Sequence, residues 1–378
     1  GLSGNAADLA LFDIRAYTPA NANLLQAGWD TVGDPYGGTI IFKDHGGEIK
    51  NLLFRNTNTN EHYVNVNGGN SQGKYFASFD YYDEEGIIVG SNYKRYSANI
   101  NGSYKIKPKL EITTGATFST ATGFGLLGGD VNTLYRNMAV WPTMNPWLDS
   151  AKTKPNPGNG ITDGNPLYWL DKNYRKNEVN RITGNASAKY DILKELYVKV
   201  SGNIYMYDAI NESFTKATQT YTQLYTNPQG FNTSRPAIWS EGRVIQKQFN
   251  AIINYSKRFA EKHNVDAMLG AERFDQKSLN ARVWGTGAPT DDIPTVNAST
   301  VFPVGLDGNG TPFNYTSKSE YRIISHFGRF NYNYDQRYLL TLVYRADGIS
   351  SLAKDNRWGY FPGLSAGWNV HNESFFKS

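Results

Sequence analysis

The chain has 378 residues, a formal net charge of +4 and a mean hydropathy of −0.54. It contains 26 tyrosines and 37 glycines against 4 methionines, a bias toward strands and turns, and it has no cysteine. The weak charge, without a run of Lys and Arg, argues against nucleic-acid binding. The missing cysteine excludes disulfides, thiolate metal sites and cysteine nucleophiles. No apolar run reaches the roughly 18 residues of a membrane-spanning helix.

Residues 1–60 show little regular pattern because glycines interrupt them repeatedly, so we expect a loop-rich entry to a sheet there. Residues 61–378 form the main predicted β domain. Hairpins repeat from His62 onward, and Tyr93 to Tyr104 is typical: every second residue is apolar or small, and the residues between are polar. A period of two predicts strands with two different faces.

Three long excursions separate groups of predicted strands, at residues 120–180, 208–243 and 275–320. They are rich in Gly, Pro and aromatic residues, and loops of this length in a compact domain are usually functional. About eleven strands remain, each close to the ~9–11 residues that a tilted strand needs to cross a bilayer.

The segment from Gly328 to Val370 carries the clearest pattern. Apolar residues such as Phe330 alternate with polar residues such as Asn331, and Asp335 to Arg337 reads as a tight turn. A soluble antiparallel sheet gives the same alternation. Short turns on one side with long loops on the other are typical of an outer-membrane barrel and favour that interpretation.

Four motifs in this segment resemble the barrel of SusC/RagA-type TonB-dependent outer-membrane transporters. They are GRFNYNY at 328–334, YLL at 338–340, RADG at 345–348 and NRWGYFP at 356–362. An earlier stretch, Asn67-Gly68-Gly69 followed by Lys74 to Tyr82, is similar to the family's first barrel hairpins. The resemblance extends over residues 50–376.

The resemblance implies an all-β fold, the antiparallel wall of a transmembrane β-barrel with short periplasmic turns and long extracellular loops. Plugged transporters have about 22 strands, so the chain would supply about half of the barrel. The implied function is TonB-dependent import of oligosaccharides or peptides across the outer membrane of a Bacteroidota-like bacterium, without enzymatic chemistry. The implied partners are a SusD-like surface lipoprotein, TonB acting through a plug domain, and outer-membrane lipid. Neither the plug nor the family's last strands match this sequence, so the resemblance implies a truncated chain.

Aromatic residues in the long loops are the candidate ligand contacts, because sugar rings stack on aromatic planes. Arg345 and Asp347 lie on the polar face of a predicted strand and could line a solute path. Interface girdles and large loops also use Tyr and Trp as anchors, so a structural role remains an alternative. The candidates in the loops are Trp141, Trp147, Trp169, Tyr221, Trp239 and Trp284.

No catalytic, metal or cofactor site is predicted. Gly123 to Gly128 matches G-x-G-x-x-G outside any βαβ unit, and Asp307 opens a calcium-like loop whose twelfth position holds Lys318 instead of Glu. The main rival is a soluble or secreted β-sandwich that binds carbohydrate, with its apolar faces packed against a second sheet. A weaker rival is a glycoside hydrolase, which needs two carboxylates about 5–9.5 Å apart.

Overall fold

The computed structural model describes residues 12–124, 142–157, 165–220 and 230–376. Most of them belong to one sheet of eleven antiparallel strands. The strands follow one another in the sheet in the order of the chain, and a separate two-stranded hairpin is inserted at one point of that order. This confirms the predicted all-β antiparallel wall. In chain order, the strands are β1 (Ile14–Ala16), β2 (Asp30–Gly33), β3 (Thr39–Phe42), β4 (Thr59–Gly69), β5 (Gly73–Glu85), β6 (Asn92–Lys107), β7 (Leu110–Phe124), β8 (Asn173–Asp191), β9 (Leu196–Thr215), β10 (Thr218–Thr220), β11 (Gly230–Asn232), β12 (Ala237–Phe259), β13 (His263–Gly285), β14 (Tyr315–Tyr334), β15 (Tyr338–Ile349) and β16 (Trp358–Trp368).

The large sheet comprises β4 to β9 and β12 to β16, while β1, β3 and β2 form a three-stranded sheet and β10 pairs with β11. Two α-helices, α1 (Gly46–Leu53) and α2 (Pro166–Lys172), contact each other at the loop end of the large sheet. Short 3-10 helices lie at Pro19–Ala27, Val296–Ala298, Lys354–Asn356, Val370–Asn372 and Ser374–Phe376. Within the described ranges, no helix is long and apolar enough to cross a membrane.

The connections differ at the two edges of the sheet. One edge carries only tight turns, at 70–72, 108–109, 192–195, 260–262 and 335–337. The other edge carries the connections 86–91, 125–172, 216–236, 286–314 and 350–357. This asymmetry is the one that outer-membrane barrels show, with short turns in the periplasm and long loops outside the cell.

Two of the tight turns hold residues other than glycine in the left-handed region. Ala260 and Glu261 have φ of 42° and 58°, and Asp335 and Gln336 have φ of 50° and 57°. Positive φ at both central residues defines type I′ turns, whose twist matches that of the flanking strands.

The strands extend further into the three long excursions than the sequence pattern predicts. β13 continues to Gly285, although the sequence predicts an excursion from Asp275, and β12 begins at Ala237, although the sequence predicts its start after residue 243. Charged side chains pair across these extensions, as Lys277 does with Glu320 at 3.3 Å. Above the bilayer the outward side chains need not be apolar, so the backbone ladder continues where the alternation of hydrophobicity stops.

Continuous pairing gives the sheet two different faces. Phe330 lies opposite Ala267 on one side and Leu342 on the other, and Leu342 lies opposite Leu364. Directly opposed residues of antiparallel strands point to the same face. The face that carries these residues is called the outward face below, and the opposite face, which carries Thr341, is called the inward face.

The outward face is apolar and uncovered. Large apolar side chains on this face have relative accessibilities between 45% and 73%, among them Val64, Phe79, Ile100, Phe118, Leu269 and Leu364. Among the described residues, the other two sheets have only three and two strands, and no second sheet packs on this band. The rival β-sandwich would bury these side chains beneath a second sheet, so the described residues do not fit it.

Aromatic rings border the apolar band at both heights. At the turn side, the rings of Tyr334 and Tyr338 stack with 6.2 Å between centroids, and at the loop side Trp358 stacks with His326 at 6.1 Å. Strand β16 spans the band from Trp358 to Trp368 over 11 residues. At about 3.3 Å per residue and a tilt of about 40°, this length covers about 25 Å, the height of the apolar band of outer-membrane barrels.

We predict that an arginine on the outward face costs far more than one on the inward face of the same strand. Leu342→Arg places a charge between the two girdles and should lower the free energy of unfolding by about 2–4 kcal/mol. Thr341→Arg, at the next residue, points inward and is the matched control. Urea titration in lipid vesicles measures both; equal losses would contradict the assignment of faces.

Candidate solute-facing wall and loops

Uncharged amide and hydroxyl side chains dominate the middle of the inward face. Asn99 donates from Nδ2 to Thr117 Oγ1 at 3.0 Å, and Asn203 donates from Nδ2 to Gln248 Oε1 at 3.4 Å. Gln246 donates from Nε2 to Gln276 Oε1 at 2.8 Å. These groups hold both donors and acceptors, so the surface can bind polar uncharged groups by hydrogen bonds.

The predicted pair Arg345 and Asp347 lies within a larger inward-facing network. Arg345 Nε donates to Asp347 Oδ1 at 2.8 Å, and Arg345 Nη2 lies 3.0 Å from Glu272 Oε1 and 2.9 Å from Ser325 Oγ. Gln248 Nε2 donates to Glu272 Oε2 at 2.8 Å and so joins this network to the amide and hydroxyl side chains in the middle of the inward face. Glu272 is not among the residues predicted from the sequence, because it lies 73 residues from Arg345 and only the register of β13, β14 and β15 brings the two together.

Aromatic rings accompany the cations of the inward face. The guanidinium of Arg345 lies 5.5 Å from the ring centroid of Phe327, and that of Arg181 lies 5.3 Å from the ring centroid of Tyr207. Phe274 contacts Tyr321 with 5.9 Å between centroids. Flat rings beside hydrogen-bonding groups are the combination that suits sugar rings and peptide groups.

Of the predicted loop aromatics, Trp141 and Tyr221 lie outside the described residues. Trp169, on α2, is buried at 7% exposure in a cluster with Ile88 and Tyr168. Trp147 is half-buried, and its backbone N–H donates to Asn145 Oδ1 at 3.0 Å. Both indoles sit where they anchor the loop, which is the alternative role that the sequence left open.

Trp239 and Trp284 occupy opposite faces of the neighbouring strands β12 and β13. The register places Trp239 opposite Val283 on the outward face and Trp284 opposite Ile238 on the inward face. The ring of Trp284 packs edge-on against Phe313 at 4.8 Å and lies 4.8 Å from the Arg282 guanidinium, and its buried indole N–H has no partner among the described residues. Of these two tryptophans, only Trp284 lies on the inward face, so it stays a candidate for a solute contact.

The calcium-like loop at Asp307 is a turn stabilised from within. The Asp307 carboxylate accepts the backbone N–H groups of Asn309 and Thr311, each at 3.0 Å, and pairs with Arg282 at 2.8 Å. The hydrogen bond from Arg282 and those backbone donors lower the pKa of Asp307. Across the described residues, no group of three or more His, Asp or Glu side chains could hold a metal ion.

A buried histidine ties residues 12–54 to the first long loop. His45 Nε2 lies 2.7 Å from Asp13 Oδ2, and its Nδ1 lies 3.1 Å from Glu48 Oε2. Glu48 in turn accepts a hydrogen bond from Lys152 at 2.6 Å, and the His45 backbone N–H donates to Pro142 O at 2.5 Å. The hydrogen bond to Asp13 raises the pKa of His45 against the effect of burial, and Glu48 acts in the same direction.

We predict that this attachment weakens as the pH rises. The folded-state pKa of His45 is raised, so its stabilisation is fully present below the ordinary pKa of about 6.5 and is lost as the pH passes through the raised value. Trypsin cleavage after Lys43 should therefore be slower at pH 6 than at pH 8.5, relative to His45→Gln at each pH. The same pH profile in His45→Gln would contradict this assignment.

We predict that the Arg345 network behaves as a unit. Arg345→Met leaves Glu272 and Asp347 without their cation and should lower the free energy of unfolding by about 1–2 kcal/mol. The double variant with Glu272→Gln should lose less than the two single variants together, because the orphaned charge is gone. A double-mutant cycle measured by urea titration tests this; simple additivity would show that the two side chains do not interact.

Known proteins match both the sequence and the sheet. The chain is 26% identical over 352 residues to the TonB-dependent receptor SusC of Bacteroides thetaiotaomicron, covering 86% of this chain and 32% of SusC. It is 25% identical over 323 residues to the TonB-dependent receptor P39 of Formosa agariphila, covering 82% of this chain and 28% of P39. The chain thus spans about a third of the length of these curated relatives. No family model matches it.

Solved structures agree on the fold. The RagAB peptide transporter superposes with a TM-score of 0.68 at 20% identity, covering 89% of this chain and 36% of the solved one. The open-open state of the RagAB peptide importer gives 0.71 at 19% identity, covering 92% and 37%. The matched proteins are receptors and transporters, not enzymes. The eleven strands are therefore a stretch of outer-membrane β-barrel wall, and the chain is a relative of the SusC/RagA-type TonB-dependent receptors.

Proposed function

We propose that the chain forms part of the wall of a TonB-dependent transporter that imports an uncharged polar oligomer, an oligosaccharide or a peptide, across the outer membrane. The observation that carries this proposal is the pair of faces: the outward one is apolar and exposed, and the inward one is lined with amides and hydroxyls. Such a wall lets lipid surround it while a polar solute passes along its other side.

Charge favours an uncharged solute. Several inward-facing charges are already paired, as Arg95 is with Asp80 at 2.9 Å and Arg345 with Glu272 at 3.0 Å. The amide and hydroxyl side chains between these pairs offer hydrogen-bond donors and acceptors without net charge. Oligosaccharide hydroxyls and peptide groups both match it, and nearby rings such as Tyr207 suit the apolar faces of either solute.

The partners follow from the same resemblance. We infer that a SusD-like surface lipoprotein covers the long loops and that TonB supplies energy through a plug domain. The loop between β13 and β14 offers an exposed apolar surface for such a partner, with Phe302 at 50%, Val304 at 93% and Leu306 at 62% exposure. Apolar side chains clustered on a loop are a common mark of a protein contact.

Energy-dependent uptake tests the transport proposal. Cells that express the full-length protein should take up a labelled oligosaccharide or a labelled oligopeptide, and an uncoupler or loss of TonB should abolish uptake. Comparison of the two solutes identifies the class that is carried. Uptake that continues without TonB, or hydrolysis of the glycan by the purified protein, would contradict the proposal.

We predict that Trp284→Ala weakens solute capture. Loss of a stacking ring on the inward face should raise the half-saturating solute concentration about five- to tenfold, since such contacts contribute about 1–1.5 kcal/mol. Trp358→Ala removes an equal ring from the outward girdle and is the matched control. An unchanged half-saturating concentration in Trp284→Ala would remove this residue from the solute path.

A further inference from the structure

A group of cations lies on the outward face of β12, β13 and β14, where lipid and not solute is the neighbour. We call it the outer cationic patch; it consists of Arg243, Lys247, Arg273, Lys277, Lys318 and Arg322. The register fixes its orientation, because Lys247 lies opposite Asp275, and Asp275 lies opposite Arg322, in rows continuous with the apolar band. No cation of this patch can reach the inward face without breaking the pairing.

The patch lies at the outer border of the apolar band. On β13, the outward positions from Val265 to Ala271 are apolar, and Arg273 is the first charged one. Arg273 lies ten residues from His263, at the turn-side end of the strand. At about 3.3 Å per residue and a tilt of about 40°, that is about 25 Å, the full height of the apolar band. The long loops are on this side, so the patch is at the headgroups of the outer leaflet.

The patch surrounds an open groove of about 290 Å³. The groove is lined by Arg243, Lys277, Lys318 and Glu320 together with Ile245 and Leu279. The register places these six side chains on the outward face, and Glu320 pairs with Lys277 at 3.3 Å. A groove with cations at its rim and apolar side chains between them suits an anionic group attached to a hydrocarbon chain.

Neighbouring carboxylates do not balance the cations. Asp275 pairs with Arg273 at 2.7 Å and also with Arg322, and Glu320 pairs with Lys277 at 3.3 Å. Arg243 pairs with Asp208 and Glu241. Lys247 and Lys318 form no ion pair within 4 Å among the described residues, because Asp275 pairs with the two arginines and Glu320 pairs with Lys277. Six cations against four carboxylates leave an excess of positive charge at the membrane border.

We propose that the outer cationic patch binds the phosphate of a lipid in the outer leaflet. Clustered Lys and Arg at headgroup depth attract anionic headgroups, each cation contributing about fivefold to binding. Lys247 and Lys318 are free to make these contacts, and the paired arginines beside them supply further hydrogen-bond donors. The outward orientation separates this site from the solute path. Lipid binding by the patch therefore does not depend on which solute the protein transports.

Lipid retention by the full-length protein tests the proposal. The purified protein is incubated in detergent micelles with bisphosphorylated lipid A or with its dephosphorylated form, and bound lipid is counted by native mass spectrometry. We expect selective retention of the phosphorylated lipid, weakening as NaCl is raised. Lys247→Gln with Lys318→Gln should weaken retention about 25-fold, since neither substitution leaves a carboxylate unpaired.

Lys107→Gln with Lys257→Gln is the matched control, because it removes two outward-facing lysines at the turn-side end of the wall, neither of which has a carboxylate partner among the described residues. This variant should retain the lipid as the unchanged protein does. Equal retention of both lipid A forms would overturn the proposal, as would equal loss in the two double variants. Displacement of the lipid by millimolar inorganic phosphate would show a free-anion site instead. The salt dependence of the unchanged protein keeps the test decisive if a variant fails to fold.

Discussion

Backbone hydrogen bonding is the constraint on which this structure depends. In the hydrocarbon core of a bilayer no water can satisfy a peptide N–H or C=O group, so each must pair within the protein. The long strands meet this demand without interruption: β12 pairs residue by residue with β9 from Ala237 to Tyr255 and with β13 along its whole length. The register shift between β6 and β7, at Lys105 and Lys107, lies next to a tight turn and outside the apolar band.

Uninterrupted pairing also fixes where every side chain points. A shift by one residue would exchange the two faces, placing Asn331 in lipid and Phe330 against the polar interior. The two faces are therefore constrained by different environments, the membrane on one side and the solute on the other. The outward face must match the layers of the membrane, from aromatic girdle through apolar band to charged border, while the inward face is free to carry the amides, rings and ion pairs that a solute meets.

The sequence predicts the membrane-embedded part of the wall well, because alternation is strict where one face meets lipid. It predicts the upper strands poorly. Beyond Arg273 on β13, charged residues occupy both faces, and the pattern that marks a strand disappears although the ladder continues. The extents of the excursions depend on that ladder, which sequence alone does not reveal.

The candidate site divides in the same way. Arg345 and Asp347 could be placed together on the polar face, since they lie two residues apart on one strand. Glu272 could not, because its position depends on the register of three strands. The tryptophans show the same limit: one is a buried anchor and two point to opposite faces, a difference that requires the positions of the strand ends and the packing of α2.

The two type I′ turns have a consequence for how the wall is assembled. Ala260 and Glu261 would avoid the left-handed region in a free peptide, where that conformation costs about 1 kcal/mol or more per residue. These turns therefore form after the flanking strands have paired and do not initiate the pairing. The alignment of β12 with β13 must come from the long run of opposed side chains and peptide groups. The sequence of the periplasmic turns can therefore vary while the register of the strands stays the same.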